Sequence, residues 1–421
     1  MKLLVLLLGF GATALRAQDT RTVTEPVIPP SCAVLPARLS VIDETQPDTR
    51  RIQQALDTCA PGRAVELNAD GPRSAFLSGP LDLRAGVTLH IGAGVTLFGS
   101  RDPRDYDVSP GRCGTIDQSG HGCRALINGD HVAGAGVQGE GTIDCRGGAK
   151  LLGQDVTWWD LAEKARAGGF QNCPRLIVLS HADNFTLYRI TLKNAANFHV
   201  YYGNGDGFTA WGVVINTPKN ARNTDGIDPG ASTNVTITRS FIHTGDDNVA
   251  IKAGGPTSHI TIAHNHFYAG HGMSIGSETY AGAEAIRVTD LSIDGADNGI
   301  RIKSNITRGG PVRDVVYDDV CIRNTKNPIL MDTHYTASTG PDRDKIPEFT
   351  GIVLRNVRIQ DGGKITLDGY DDRHRLGIVF DNLRLDMPDA VKWFVAYADV
   401  HQSRPGTPNS CFDKFVPMPA R

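Results

Sequence analysis

The stretch VTITRSFIHTGDDNVAIKAG, residues 235–254, decides the fold. Its first eight residues alternate apolar and polar side chains, break that alternation once in the middle, and then resume an apolar pattern. Side chains on a strand alternate with period two, so one break inside an octet reads as a bend between two short strands. The glycine, aspartates and asparagine that follow are turn residues, and Val-Ala-Ile after them reads as a third short strand.

The octet recurs. FTLYRITL begins at Phe185, FTAWGVVI at Phe208, ITIAHNHF at Ile260, IRVTDLSI at Ile286, VVYDDVCI at Val315, IVLRNVRI at Ile352 and IVFDNLRL at Ile378. With the Val235 octet included, successive starts lie 23, 27, 25, 26, 29, 37 and 26 residues apart. Apolar residues favour positions one, three, six and eight. Short strands at this period, without a helical pattern between them, argue against βαβ units. They imply an all-β fold, a right-handed parallel β-helix whose coils stack around one apolar interior. DTRRIQQALDTC, 48–59, is expected to form a short helix capping the N-terminal end, where an open sheet edge invites aggregation. TWWDLAEKARAGG, 157–169, reads as an inserted helix whose tryptophans pack, and the 37-residue interval implies a loop insertion near 336–349.

At 421 residues and a net charge of -3 the chain has no polybasic footprint for nucleic acid. Beyond the first residues no apolar run is long enough to span a bilayer. MKLLVLLLGFGATALRAQDT has the Lys, apolar core and small residues of a secretory signal. Cleavage is expected after Ala17, leaving 18–421 as one secreted or periplasmic domain. Export makes the eight cysteines readable as disulfides. Cys113–Cys123 and Cys32–Cys59 are the expected pairs, with Cys145–Cys173 and Cys321–Cys411 as further suggestions. There is no CxxC, which argues against a zinc ribbon.

The unusual polar residues follow the repeat. Asp225 lies in NTDGIDP, Asp247 follows after 22 residues, His271 in GHGMSIGS after 24 more, and Arg301 in RIKS after 30. Each interval is about one coil, and stacked coils lie roughly 4.8 Å apart. Asp225, Asp246 with Asp247, His271, and Arg301 with Lys303 are therefore expected to form a ladder on one outer face. Each element alone has an ordinary reading as a turn cap, a surface histidine or a solvated strand face. Turn formation does not predict all four in consecutive coils. Three neighbouring carboxylates do not all ionise cheaply, so one retains a proton while the others act as bases.

NTDGID, GDDNVAIK, GHGMSIGS and RIKS, in this order and spacing, resemble the signature motifs of the polygalacturonases, glycoside hydrolase family 28. PRLIVLSHADNFTLYRITLKNAANFHV, GDGFTAWG and FLSGPLDL extend the similarity toward bacterial endo-polygalacturonases, over residues 25–385. The resemblance implies a single-stranded, pectin-lyase-like β-helix. It further implies inverting, endo-acting hydrolysis of the α-1,4 bonds of homogalacturonan, the polyanionic backbone of pectin. By that resemblance Asp246 is the general acid, Asp225 and Asp247 hold and deprotonate water, and His271 sets the protonation of Asp246. Arg301 and Lys303 then grip a substrate carboxylate, with Tyr335 in MDTHYT and Asn223 in NTDGID as further substrate-binding residues. No metal or other cofactor is expected, nor a nucleic-acid or membrane partner, and the enzyme is expected to act as a monomer.

Three rivals are kept in view. An exo-acting enzyme of the same family differs in the loops that close the cleft. A pectate lyase would use Ca²⁺ and give an unsaturated product. A non-catalytic polysaccharide-binding β-helix would have lost turnover. GAGVQG, 134–139, matches a dinucleotide fingerprint, but no helix pattern follows and it reads as a β-helix turn. Asn184, Asn234 and Asn305 open glycosylation sequons at positions where turns also favour Asn and Thr.

Overall fold

The computed structural model describes residues 18–335, 344–403, 406–407 and 409–420. The expected leader, 1–17, and residues 336–343 of the expected loop insertion lie outside these. Among the described residues, two parallel sheets of nineteen and eleven strands run the length of the molecule, with one small antiparallel pair beside them. Chain segments alternate between the sheets, as a parallel β-helix requires.

The octets are its structural unit. Their first residues pair in an unbroken row, Phe185 with Phe208, Phe208 with Val235, Val235 with Ile260, Ile260 with Ile286, Ile286 with Val315, Val315 with Ile352 and Ile352 with Ile378. The break in alternation falls at position five. Arg189, Gly212, Arg239, His264, Asp290, Asp319, Asn356 and Asn382 all take φ between 49° and 68°. That left-handed residue turns the chain through the bend, so apolar positions on both sides face the same interior. Inside, like residues stack on like; the Phe185 and Phe208 rings lie 6.3 Å apart and nearly parallel.

The N-terminal end is covered as expected. Helix α1, Thr49–Thr58, buries Ile52 and Leu56 against strands Arg63–Asn68 and Leu81–Asp82. Cys32–Cys59 fastens its C-terminal end to the strand before it. Helix α2, Trp158–Lys164, begins with a reciprocal cap between Thr157 and Asp160. Trp158 is buried, and Trp159 donates its indole N–H to the Ala195 carbonyl, so this pair packs. GAGVQG forms a turn and the strand Gly136–Gln138, without a helix. Asn305 is buried with its amide donated to the Tyr335 carbonyl, so that sequon is structural.

Cys113–Cys123 and Cys321–Cys411 are also bonded. The suggested Cys145–Cys173 pair is not: both are free and buried. Cys173 Sγ donates to the Ala196 carbonyl at 3.8 Å, and Cys145 meets the backbone of the same residue through its N–H. Burial pushes the Cys145 thiol up to about 12 and Cys173 up as well, leaving little thiolate for exchange. Cys321–Cys411 straps the C-terminal tail across the larger sheet, where Lys414 meets Asp319 at 2.6 Å and Tyr268 donates to the Val416 carbonyl. Closing a loop of this length typically contributes about 2–4 kcal/mol. Replacing both cysteines by alanine is expected to lower the thermal midpoint by several degrees, read by thermal unfolding. An unchanged midpoint would mean that the polar contacts of the tail suffice.

Candidate active site

The smaller sheet forms the floor of the site. Its strands Ile227–Gly230, Val249–Ile251, Met273–Ile275 and Asn298–Lys303 lie side by side in that order, and the turns entering them carry the acidic residues. Asn248, wholly buried, fixes these turns. Its amide donates to the carbonyls of Ile242 and Ala269, and its oxygen accepts from the N–H of Gly272. The glycines beside His271 allow that approach. At Gly270, φ is +117° and a Cβ would stand 2.5 Å from Thr244 Oγ1; at Gly272 it would stand 2.2 Å from the Asn298 carbonyl.

The ladder is therefore real, and its rungs touch. His271 Nδ1 lies 3.0 Å from Asp246 Oδ1. The Asp247 carboxylate accepts from Lys303 Nζ at 2.8 Å, Arg301 Nη1 at 3.0 Å and Ser274 Oγ at 2.7 Å. The Gly226 N–H, next to Asp225, bonds the Asp247 carbonyl at 2.9 Å. Carboxylate oxygens of Asp246 and Asp247 and a ring nitrogen of His271 lie within 4.8 Å of one another. Arg301 and Lys303 each approach the Tyr335 ring centroid at 5.4 Å, which brings that tyrosine into the group. Asn223 sits in the left-handed region one residue before Thr224, whose hydroxyl anchors the N–H of Gly245.

Arg301 and Lys303 leave their strand on the outer face, opposite the core residues Ile300 and Ile302, but they are not solvated there: each is only 6% exposed. Both point across the floor to Asp247, so their first partner is a protein carboxylate. A buried carboxylate needs such compensation.

The environment separates the acids. For Asp247, burial opposes ionisation, but Lys303 and Arg301 outweigh it and hold the carboxyl well below the usual range. For Asp246, burial is again outweighed, here by the hydrogen bond from His271, and its pKa is lowered. Burial also opposes charging His271, but Asp246 more than compensates and raises the imidazole pKa. Asp225 differs. Burial and then the charges of Asp228 and Asp246 push its pKa up, with Lys252 opposing them.

Sequence reasoning missed four residues of this neighbourhood. Asp228, the second acid of NTDGIDP, is fully buried, and Lys252 at the end of VAIK stands between it and Asp225. His199 donates through Nδ1 to the Asp225 carbonyl and accepts through Nε2 from Thr217, and burial lowers its pKa to about 4, so it is a neutral strut. Asp297 lies 3.9 Å from His271 Nε2, on the side away from Asp246. The Asp228–Lys252 interval is itself one coil, a signal that was available.

Asp246, Asp247 and His271 also group as a metal site would. The fit is poor, because the Asp247 carboxylate is already paired with two cations, Arg301 and Lys303, beside which a metal ion would be repelled. Beside Asp246 and His271 opens a cavity of about 540 Å³, rimmed by Arg166, Lys219, Asn220 and Arg222. Arg222 is held there by donating to the Ala162 carbonyl of α2.

Comparison with known proteins agrees with this geometry. The profile of glycosyl hydrolases family 28 matches residues 59–402. An endo-polygalacturonase of Pectobacterium carotovorum subsp. carotovorum is 44% identical over 383 residues, 90% of this chain and 92% of that one. A polygalacturonase of Ralstonia nicotianae is 40% identical across 96% of this chain and 87% of its own. The solved polygalacturonase from Erwinia carotovora ssp. carotovora superposes with a TM-score of 0.85 at 42% identity, covering 91% of this chain and 100% of that one. A family 28 exopolygalacturonase from Yersinia enterocolitica gives 0.68 at 25% identity, covering 90% and 77%. The chain belongs to glycosyl hydrolase family 28.

Proposed function

We propose that this enzyme hydrolyses internal α-1,4-galacturonosidic bonds of homogalacturonan with inversion, acting as a secreted monomer of residues 18–421. The observation that carries the reading is the division of two adjacent carboxylates. Asp246 shares a proton with His271, while Asp247 is locked as an anion by Arg301 and Lys303. Glycosidases need one acid and one base flanking the bond, and this arrangement supplies both.

In the step proposed, water held by Asp225 and Asp247 attacks the anomeric carbon, and its proton passes to a carboxylate. The C–O bond breaks toward the leaving sugar, whose oxygen takes the proton from Asp246. With the site open, that proton rests on His271. Substrate excludes water from the pair, disfavours its two charges and moves the proton onto Asp246. A net negative protein binds a polyanion only through local cations. Arg166, Lys219 and Arg222 on the cavity rim supply them, and Arg301 and Lys303 offer their remaining donors to a carboxylate next to the scissile bond.

Carboxylates in inverting enzymes are usually roughly 6.5–9.5 Å apart, against roughly 5–5.5 Å in retaining ones. One oxygen of Asp246 and one of Asp247 lie within 4.8 Å of each other, short of the inverting spacing, so the reading rests on Asp225 completing the water site. Product anomers followed by NMR are expected to appear inverted; retention overturns the mechanism. In the same digest of polygalacturonate, endo action gives rapid viscosity loss with mixed oligomers, and monomer or dimer alone overturns it. A chelator is expected to leave the rate unchanged, and no ultraviolet-absorbing unsaturated product should form; a lyase would fail both tests.

A further inference from the structure

Asp228 poses a problem that its own strand does not solve. It is fully buried, and neither carboxylate oxygen has a hydrogen-bond partner among the described residues. Its ion-pair partner is Lys252 Nζ at 3.4 Å. That nitrogen also lies 3.5 Å from Asp225 Oδ2 and 4.9 Å from the centre of the Phe198 ring. One cation thus stands between two buried carboxyl groups, and only one of those groups belongs to the catalytic ladder. Two anions on a single lysine leave a net buried charge, whereas one anion and one protonated acid do not.

We propose that Lys252 and Asp228 are positioning residues for Asp225. Lys252 holds Asp225 as the carboxylate that receives the proton of the attacking water, and Asp228, sealed beneath it, stays protonated and leaves the lysine's charge to Asp225. The inference rests on the reading of Asp225 as a base.

The surroundings fit. Asp246 and Asp247, from the next coil, add negative charge around Asp225. Glu278 approaches Lys252 from the coil after, and Arg175 and Tyr201 approach from the coils before. Arg175 covers the Phe198 ring at 4.8 Å, so that ring has a guanidinium and the ammonium of Lys252 against it. Against this negative majority, Lys252 is the cation that reaches Asp225 directly. Burial pushes both acids upward and Lys252 opposes it at both, so geometry separates them: the lysine donates a hydrogen bond to Asp225 Oδ2, while neither Asp228 oxygen receives one.

The test is the pH profile of kcat/KM on polygalacturonate for Lys252→Met, Lys252→Arg and Asp228→Asn, each checked for folding by circular dichroism. An opposite charge at this range lowers a carboxyl pKa by about 1–3 units, so Lys252→Met is expected to move the acid limb up by about that much. Its kcat should fall about 10–100-fold with KM little changed. Lys252→Arg keeps the charge and should restore the limb. Asp228→Asn keeps the shape of a protonated acid, so its loss should stay within about tenfold, with the limb moved by less than about one unit.

A folded Lys252→Met enzyme with an unmoved limb, or an Asp228→Asn enzyme as damaged as Lys252→Met, overturns the proposal. If Lys252→Met does not fold, the limbs of Lys252→Arg and Asp228→Asn still decide it. The underlying reading fails differently: the wild type would not hydrolyse polygalacturonate, or Asp225→Asn would keep full activity.

Discussion

Asp246→Asn is expected to lower kcat on polygalacturonate by about 10²–10⁴-fold while KM changes little. A galacturonate alkoxide is a poor leaving group, and the residue that protonates it acts in the transition state rather than in binding. Asparagine keeps the local structure, because its carbonyl oxygen still accepts the Asp247 N–H that Asp246 Oδ1 accepts at 2.9 Å. What disappears is the proton and the negative partner of His271. A substrate with an activated leaving group needs no proton, and on it the variant should recover much of the lost rate. A variant that cleaves polygalacturonate at the wild-type rate would remove Asp246 from the acid role.

The same pair sets the alkaline limb. His271 has a pKa raised above its usual value, so the proton shared with Asp246 is present at low pH and leaves as pH rises through that raised value. Stability follows the same sign. The contribution of the protonated imidazole is complete below the unfolded histidine pKa of about 6.5 and is lost as pH rises through the folded one. Activity and part of the stability therefore decline together on the alkaline side.

Much of this was legible in the sequence, for a physical reason. A solenoid converts sequence interval into height, so residues one coil apart become neighbours, and the octet fixes the register. The bend at position five was visible as a break in alternation, although the residues there are Arg, Gly, His, Asp and Asn, with no single type to mark it. What interval does not give is depth. Arg301 and Lys303 read as outer-face residues because alternation says only which side of the strand they leave; the turns of the neighbouring coils then bury them. Asp228 and Lys252 were passed over for a related reason: one sits in a turn motif already explained by Asp225, the other ends an apolar run. Cys145 and Cys173 show the opposite failure, since closeness in the fold does not aim two sulfurs at each other.

Depth also governs the second large effect. Lys303→Met should cost about 3–5 kcal/mol of stability, because it leaves the Asp247 carboxylate buried with one cation fewer, and it should abolish most activity. The side chains of Lys303 and Asp247 are 8% and 1% exposed, so water does little to replace the lost charge. If the cost comes from stranding that anion, removing the anion should return it. The double variant Asp247→Asn/Lys303→Met is expected to regain most of the stability while staying inactive, giving a coupling energy in a double-mutant cycle of denaturant unfolding. The pH dependence has a definite sign. Asp247 has a depressed folded pKa, so its ion pairs contribute above the unfolded value of about 3.9 and that contribution is lost as pH falls through the folded pKa. The deficit of Lys303→Met should accordingly be largest near neutrality and shrink as the solution is acidified below about pH 4. Equal deficits at both pH values, or a double variant no more stable than the single one, would mean that Lys303 supports the fold through its packed stem. The charge account of the site would then lose its anchor at Asp247.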